Sequence, residues 1–303
     1  MKFLSFNPRR FLHLILVLLV FVACSQLSSK VFAQAASWDD VISGAEHQTG
    51  YFDFYYKPAT GQLLLKVARW NEDFLYANAL STGVGSNDIG LDRGQVGDSR
   101  VVRFERHGNK VFLKHINLAY RADSDSAAER LSVQEAFAES ILAGFTVLAS
   151  DGDAVLIDMT DFLLTDAHGV TATLASSQQG NYSVDKQRSA IYMDRTRNFP
   201  LNTEFETQLT FAGNQPGSLV RSVTPTPESI TVRQHHSFVQ LPGPGYQSRA
   251  YHPESGYWSR GFMYFAAPNN EDMTRLNISR HRLEKRNPDA AVSEAVEPII
   301  YYL

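Results

Sequence analysis

A single cysteine, Cys24, in a chain of 303 residues excludes an internal disulfide and any metal cage built on several thiolates. A large excess of one charge sign is lacking as well. The formal net charge is -4, so the chain has no basic footprint for nucleic acid. No His-Glu-x-x-His and no Gly-x-Ser-x-Gly occurs, which removes the helical zinc motif and the nucleophile elbow. Gly83-Val84-Gly85 lacks the third glycine of a dinucleotide fingerprint. Internal repeats and low-complexity tracts are absent. These gaps leave a cofactor-free chain as the expectation.

The first apolar run, Phe11 to Ala23, is too short to span a bilayer. It follows Lys2, Arg9 and Arg10, the layout of a secretory signal. Two exits fit. Val31-Phe32-Ala33 resembles a small-residue cleavage site before Gln34, and Phe21-Val22-Ala23-Cys24 resembles a lipobox that would leave Cys24 acylated at the mature N-terminus. Residues 1–33 are therefore expected to be a signal segment. The mature protein is expected in the periplasm, on the outer membrane as a lipoprotein held through Cys24, or outside the cell.

What is abundant is strand-forming sequence. Aromatics reach 12%, mostly Phe and Tyr. Phe52, Phe54 and Tyr56 alternate along one stretch, and Leu63, Leu65 and Val67 share one face of another. Val101 to Arg106 alternates too, and His107-Gly108-Asn109 turns it into Lys110 to His115, a hairpin signal. Phe145 to Ala149 and Ala154 to Ile157 read as another hairpin. Thr203 to Phe211 sets apolar and Thr positions against Glu204, Glu206, Gln208 and Thr210, a half-buried antiparallel strand. Ser229 to Leu241 is the longest strand expected. One helix is predicted over 132–143, from a Ser132/Glu135 capping box and the stripe Val133, Phe137, Ile141 and Leu142, ended by Gly144. The fold class is mainly β: an antiparallel, sandwich-like domain over 34–283 with that packed helix. Residues 284–303 read as a linker and the start of a following domain, with a short helix at Ser293 to Val296.

Between strands lies a Gly- and Asx-rich loop, Thr82 to Ser99, longer than an ordinary connector. Asn87, Asp88, Asp92 and Arg93 are its candidate functional residues. Asp88 and Asp92 have the oxygen chemistry for a hard cation, but no closing Glu stands at the calcium-loop offset, and Asx turns explain the composition. His235 and His236 are the one histidine cluster. In a strand their rings face opposite ways, His236 beside Val232 and Phe238, His235 beside Arg233 and Ser237. That leaves His235 as the open metal candidate and a satisfied structural histidine as the favoured reading of both. Asp158 and Asp161 read as helix caps. Ser189 has no visible base.

Several blocks resemble one family. They are Gly83 to Gln95, Arg100 to Glu105, Phe199-Pro200-Leu201-Asn202-Thr203-Glu204, His235 to Phe238, Arg280 to Lys285, and Glu294-Ala295-Val296-Glu297-Pro298-Ile299-Ile300-Tyr301-Tyr302. The chain is similar there to the N-terminal region of exported bacterial zinc-dependent metalloproteases of metzincin type. The resemblance implies a non-catalytic, accessory portion whose zinc-bearing peptidase domain is supplied in cis or in trans, with peptide as a further partner. It carries no catalytic or zinc-binding residue onto any position here. The alternative is a free-standing envelope binding protein or lipoprotein that uses the Thr82–Ser99 loop and its aromatic surface.

Overall fold

A computed structural model describes residues 37–300. The predicted signal segment with Cys24 and Gln34, and Tyr301 to Leu303, lie outside the described residues.

The strands form three sheets. The first runs in the order β1 (Glu46–Gln48), β2 (Phe54–Lys57), β3 (Gln62–Val67), β10 (Ala154–Asp158) and β9 (Ala149–Asp151). The second is a curled half-barrel of β11 (Asn181–Val184), β14 (Asn202–Asn214), β15 (Ser229–Gln240), β4 (Phe74–Leu80), β5 (Val96–His107), β6 (Lys110–His115) and β8 (Ser140–Thr146). Short β12 (Ala190–Ile191) and β13 (Arg197–Asn198) also pair with β14. The third places β16 (Ser259–Tyr264) between β17 (Thr274–Ile278) and β7 (Tyr120–Arg121). The protein is mainly β and antiparallel, as the alternating runs predict. β16 and β7 are the parallel exception.

The core lies between the first sheet and the concave face of the second. Phe52, Phe54, Leu63, Leu65, Val155 and Ile157 meet Phe74, Phe104, Phe205 and Phe238 there, all buried. Ring contacts among Phe52, Phe74, Phe104 and Phe238 have centroids 5.1–6.4 Å apart, mostly tilted or edge-on as aromatic quadrupoles favour. The other face of the first sheet, with Tyr55, Leu64 and Leu156, packs against Trp38, Val41 and Ile42 of an N-terminal helix, Trp38–Ile42.

Four expectations are corrected. The helix predicted over 132–143 runs instead from Ala127 to Ala136, started by Ser126, whose hydroxyl accepts the Glu129 N–H at 3.3 Å. Ile141 and Leu142 belong to β8, because pairing with β6 buries Phe145 and satisfies a row of backbone groups that local periodicity cannot report. That helix buries no residue, and four other short helices accompany it among the described residues, so the single packed helix is replaced. The second hairpin joins β9 to β10, while Phe145 sits in the half-barrel. No helix forms over Ser293 to Val296; an isolated bridge ties Lys285 to Ala295 there instead.

Candidate functional site

β14 and β15 are long paired strands of the half-barrel joined by residues 215–228, and their register brings chemistry together. Glu206 lies opposite His235, and Glu204 opposite Ser237. On the outer face His235 stands between the two carboxylates. Its Nδ1–H donates to Glu206 Oε2 at 2.8 Å and its Nε2–H to Glu204 Oε2 at 2.6 Å. The Ser237 hydroxyl donates to the same Glu204 oxygen at 2.5 Å, and Asn202 Nδ2 to Glu204 Oε1 at 2.5 Å.

The Tyr192–Thr196 segment covers Glu206. Tyr192 N–H donates to the Glu206 carbonyl at 2.7 Å, and the Thr196 hydroxyl accepts the Glu206 N–H at 3.1 Å. The Arg233 guanidinium stacks over the Tyr192 ring at 4.8 Å. The Glu206 side chain is thereby only 2% exposed, unlike the solvated position that strand alternation predicts. Ser81 approaches this carboxylate but leaves Oε1 without a well-aligned donor.

Burial alone would push the His235 imidazolium to lose its proton. The hydrogen bonds and charges of Glu204 and Glu206 outweigh burial and raise its pKa to about 9. Burial likewise opposes ionisation of both glutamates, and bonds from His235, Ser237 and Asn202 to Glu204, and from His235 and Ser81 to Glu206, hold them below the ordinary range. At neutral pH the cluster is one imidazolium braced by two carboxylates. Both ring nitrogens carry protons in that state, and each proton is spent on one carboxylate. Ser237 gives its proton to a carboxylate rather than to an imidazole, so no nucleophile–base pair is formed.

His236, on the inner face, is neutral. Burial drives its pKa down to about 4, with the Leu163 carbonyl bond opposing this. Its Nε2–H donates to the Leu163 carbonyl at 3.1 Å, which leaves Nδ1 to accept from the Tyr76 hydroxyl at 2.9 Å. Val232, Phe238 and His236 are buried together, as the shared face predicts. Gln234 continues the network: its Oε1 accepts the His168 N–H at 3.0 Å, and its Nε2 donates to the Thr165 carbonyl at 2.9 Å.

The Gly-rich loop is a plugged connector. Val84, Ile89 and Leu91 are buried in the core, while Asn87, Asp88, Asp92 and Arg93 face solvent. Gly83 allows the return crossing: a Cβ there would sit 2.5 Å from Leu91 O and 2.7 Å from Arg93 N. The loop is shorter than predicted, because Val96 to Ser99 already pair with β4 across a register shift. Asp158 Oδ1 accepts the Thr160 N–H at 2.9 Å, a local cap, and Asp161 pairs with Lys186 at 2.6 Å. Ser189 donates to the Asp185 carbonyl at 2.7 Å. Asp88, Asp92 and His235 are not brought together, and among the described residues no three His, Cys, Asp or Glu side chains gather as a metal site.

A family model for a domain of unknown function, DUF5117, matches residues 94–286. Curated proteins and solved structures give no match. Among the described residues, no helix is long and apolar enough to cross a membrane.

Proposed function

The chain belongs to the DUF5117 family, and on that premise we propose that it is the non-catalytic, accessory N-terminal portion of an exported zinc-dependent metalloprotease-like protein. Four of the six blocks that carry this resemblance, Arg100–Glu105, Phe199–Glu204, His235–Phe238 and Arg280–Lys285, fall inside the matched span, while most of Gly83–Gln95 precedes it and Glu294–Tyr302 follows it. The peptidase unit and its zinc are supplied in cis or in trans. Export proceeds through the predicted signal segment, cleaved before Cys24 or before Gln34.

One structural observation carries the docking part of this reading. After β17 the chain displays a run of exposed apolar side chains: Leu283, Val292, Val296, Ile299 and Ile300, with Val292 90% exposed. Val296 lines a groove of about 620 Å³ together with Leu201, the Leu241–Pro244 turn and Arg282. Exposed apolar side chains beside a groove are typical of a face that another protein covers. The clamped His235 and the Ser237–Glu204 bond support the non-catalytic part, since neither presents a free base.

Co-expression with the polypeptide encoded immediately downstream, followed by size-exclusion chromatography, tests the proposal. A stable complex that Val296→Asp weakens is expected. Two species that elute separately and never associate would contradict it.

A further inference from the structure

Phe262 and Tyr264, on the central strand of the third sheet, each carry an arginine seated on the ring. β16 alternates, and its two faces differ. On one, Met263 is matched in register with Tyr120, and Tyr120 stacks on Phe137 at 3.7 Å, with Phe265 against Phe137 at 5.1 Å. That face is packed. Arg260, Phe262 and Tyr264 share the other face, as the 6.4 Å approach of the Phe262 and Tyr264 rings confirms. The Ser279 N–H donates to the Trp258 carbonyl at 2.8 Å, so pairing with the segment after β17 extends to Trp258 and places it on this same face.

The cations are arranged along the same line. Arg121 lies over Phe262 at 4.1 Å and Arg275 over Tyr264 at 5.6 Å. Arg275 is ion-paired with Glu271 at 2.8 Å. Arg121 donates to the Leu118 carbonyl at 2.9 Å and, among the described residues, meets no carboxylate. Arg260 is exposed and has neither an ion pair nor a side-chain hydrogen bond among the described residues. Trp258 is 86% exposed, the most exposed aromatic ring among the described residues.

We propose that this open face of the third sheet binds an acidic polysaccharide of the polyuronate class. At a strand rise near 3.3 Å, Trp258 to Tyr264 extends over about 20 Å, the length of a few linked sugar rings. A bare indole offers an apolar plate for the C–H face of a sugar. Uncompensated guanidinium groups supply planar forks for carboxylates. Arg121 is already held on Phe262, so less side-chain freedom is lost when it meets an anion. The alternating plate-and-cation order suits a linear chain of charged rings better than a lipid surface, which would reward a continuous apolar wedge. The site is independent of the peptidase proposal and survives or fails separately from it.

Calorimetric titration of the full chain with polygalacturonate tests it, with dextran and phosphatidylglycerol vesicles as parallel probes. Polygalacturonate should bind with an affinity that falls as salt rises, and dextran and vesicles should not. Trp258→Ala and Arg260→Glu should each weaken binding about tenfold or more, equivalent to about 1.4 kcal/mol, with the thermal midpoint unchanged. Absence of polygalacturonate binding, equal binding of dextran, binding of the vesicles alone, or unaltered affinity in both variants would overturn the proposal.

Discussion

His235 and His236 are neighbours on one strand and hold opposite protonation states at neutral pH. His235 is an imidazolium clamped by Glu204 and Glu206, and His236 is a neutral ring buried against Tyr76 and the Leu163 carbonyl. The strand's twofold alternation alone separates them: one ring reaches the half-covered outer face, the other the dry interior.

Removing the clamped ring strands two carboxylates, one of them nearly fully buried. His235→Gln is expected to destabilise the fold by about 3 kcal/mol, in line with breaking one half of a buried ion pair. His235→Gln combined with Glu206→Gln should recover part of that loss, because the buried charge goes with its partner. Urea denaturation of the two variants measures both.

Stability should peak near pH 6.5 and fall on either side. His235 binds its proton up to about 9 when folded, against 6.5 when free. Its contribution is therefore full below pH 6.5 and is lost as pH rises through 9. His236 stays neutral down to about 4, so its contribution is full above pH 6.5 and is lost as pH falls toward 4. The depressed carboxyls of Glu204 and Glu206 add to the acid-side loss below the ordinary glutamate value of 4.5. Urea midpoints across pH should show the alkaline decline flattened in His235→Gln while the acid decline persists.

Phe238→Ala should cost about 3–5 kcal/mol, as expected for an aromatic deleted from a closed core. Its ring touches Phe74, Tyr76, Phe104 and Phe205 of the half-barrel and Phe52 of the bend before β2, which are held on separate backbone segments and cannot collapse into the gap together. Equilibrium unfolding gives the value.

In the Gly-rich loop, Gly83→Ala should be disruptive and Asp88→Asn or Asp92→Asn silent. The added methyl at Gly83 meets backbone atoms of Leu91 and Arg93 that cannot swing away. Exposed Asp88 and Asp92 should change stability by no more than about 0.5 kcal/mol. Calcium should leave the thermal midpoint of the wild-type chain unmoved, which differential scanning calorimetry checks.

The sequence made the strands legible where one face is buried. Phe104 and Leu113, Phe205 and Leu209, and Val232 and Phe238 announce their elements through alternation, and Gly108-Asn109 locates the hairpin between His107 and Lys110. Competition between patterns was not legible. Ser132-x-x-Glu135 and Ser126-x-x-Glu129 are equivalent as caps, and only pairing of β8 with β6 decides against the later start. The clamp was hidden for a related reason. Two glutamates two residues apart on one strand and a histidine on the next become partners only through register, and a fourteen-residue connection, 215–228, conceals that register. Placing the carboxylates of Thr203–Phe211 against the polar positions of Ser229–Leu241 in an antiparallel pair was the available signal. The burial of Glu206 had none, since Tyr192 to Thr196 covers it through long-range pairing of β12 and β13 with β14.

The central claim is that this polypeptide supports a peptidase and performs no cleavage itself. Casein hydrolysis by the purified full chain, run beside a zinc analysis of the same sample, tests it most directly. The account predicts no hydrolysis with or without added zinc, and no tightly held stoichiometric metal. Hydrolysis that a chelator abolishes, in a sample carrying one zinc per chain, would contradict it.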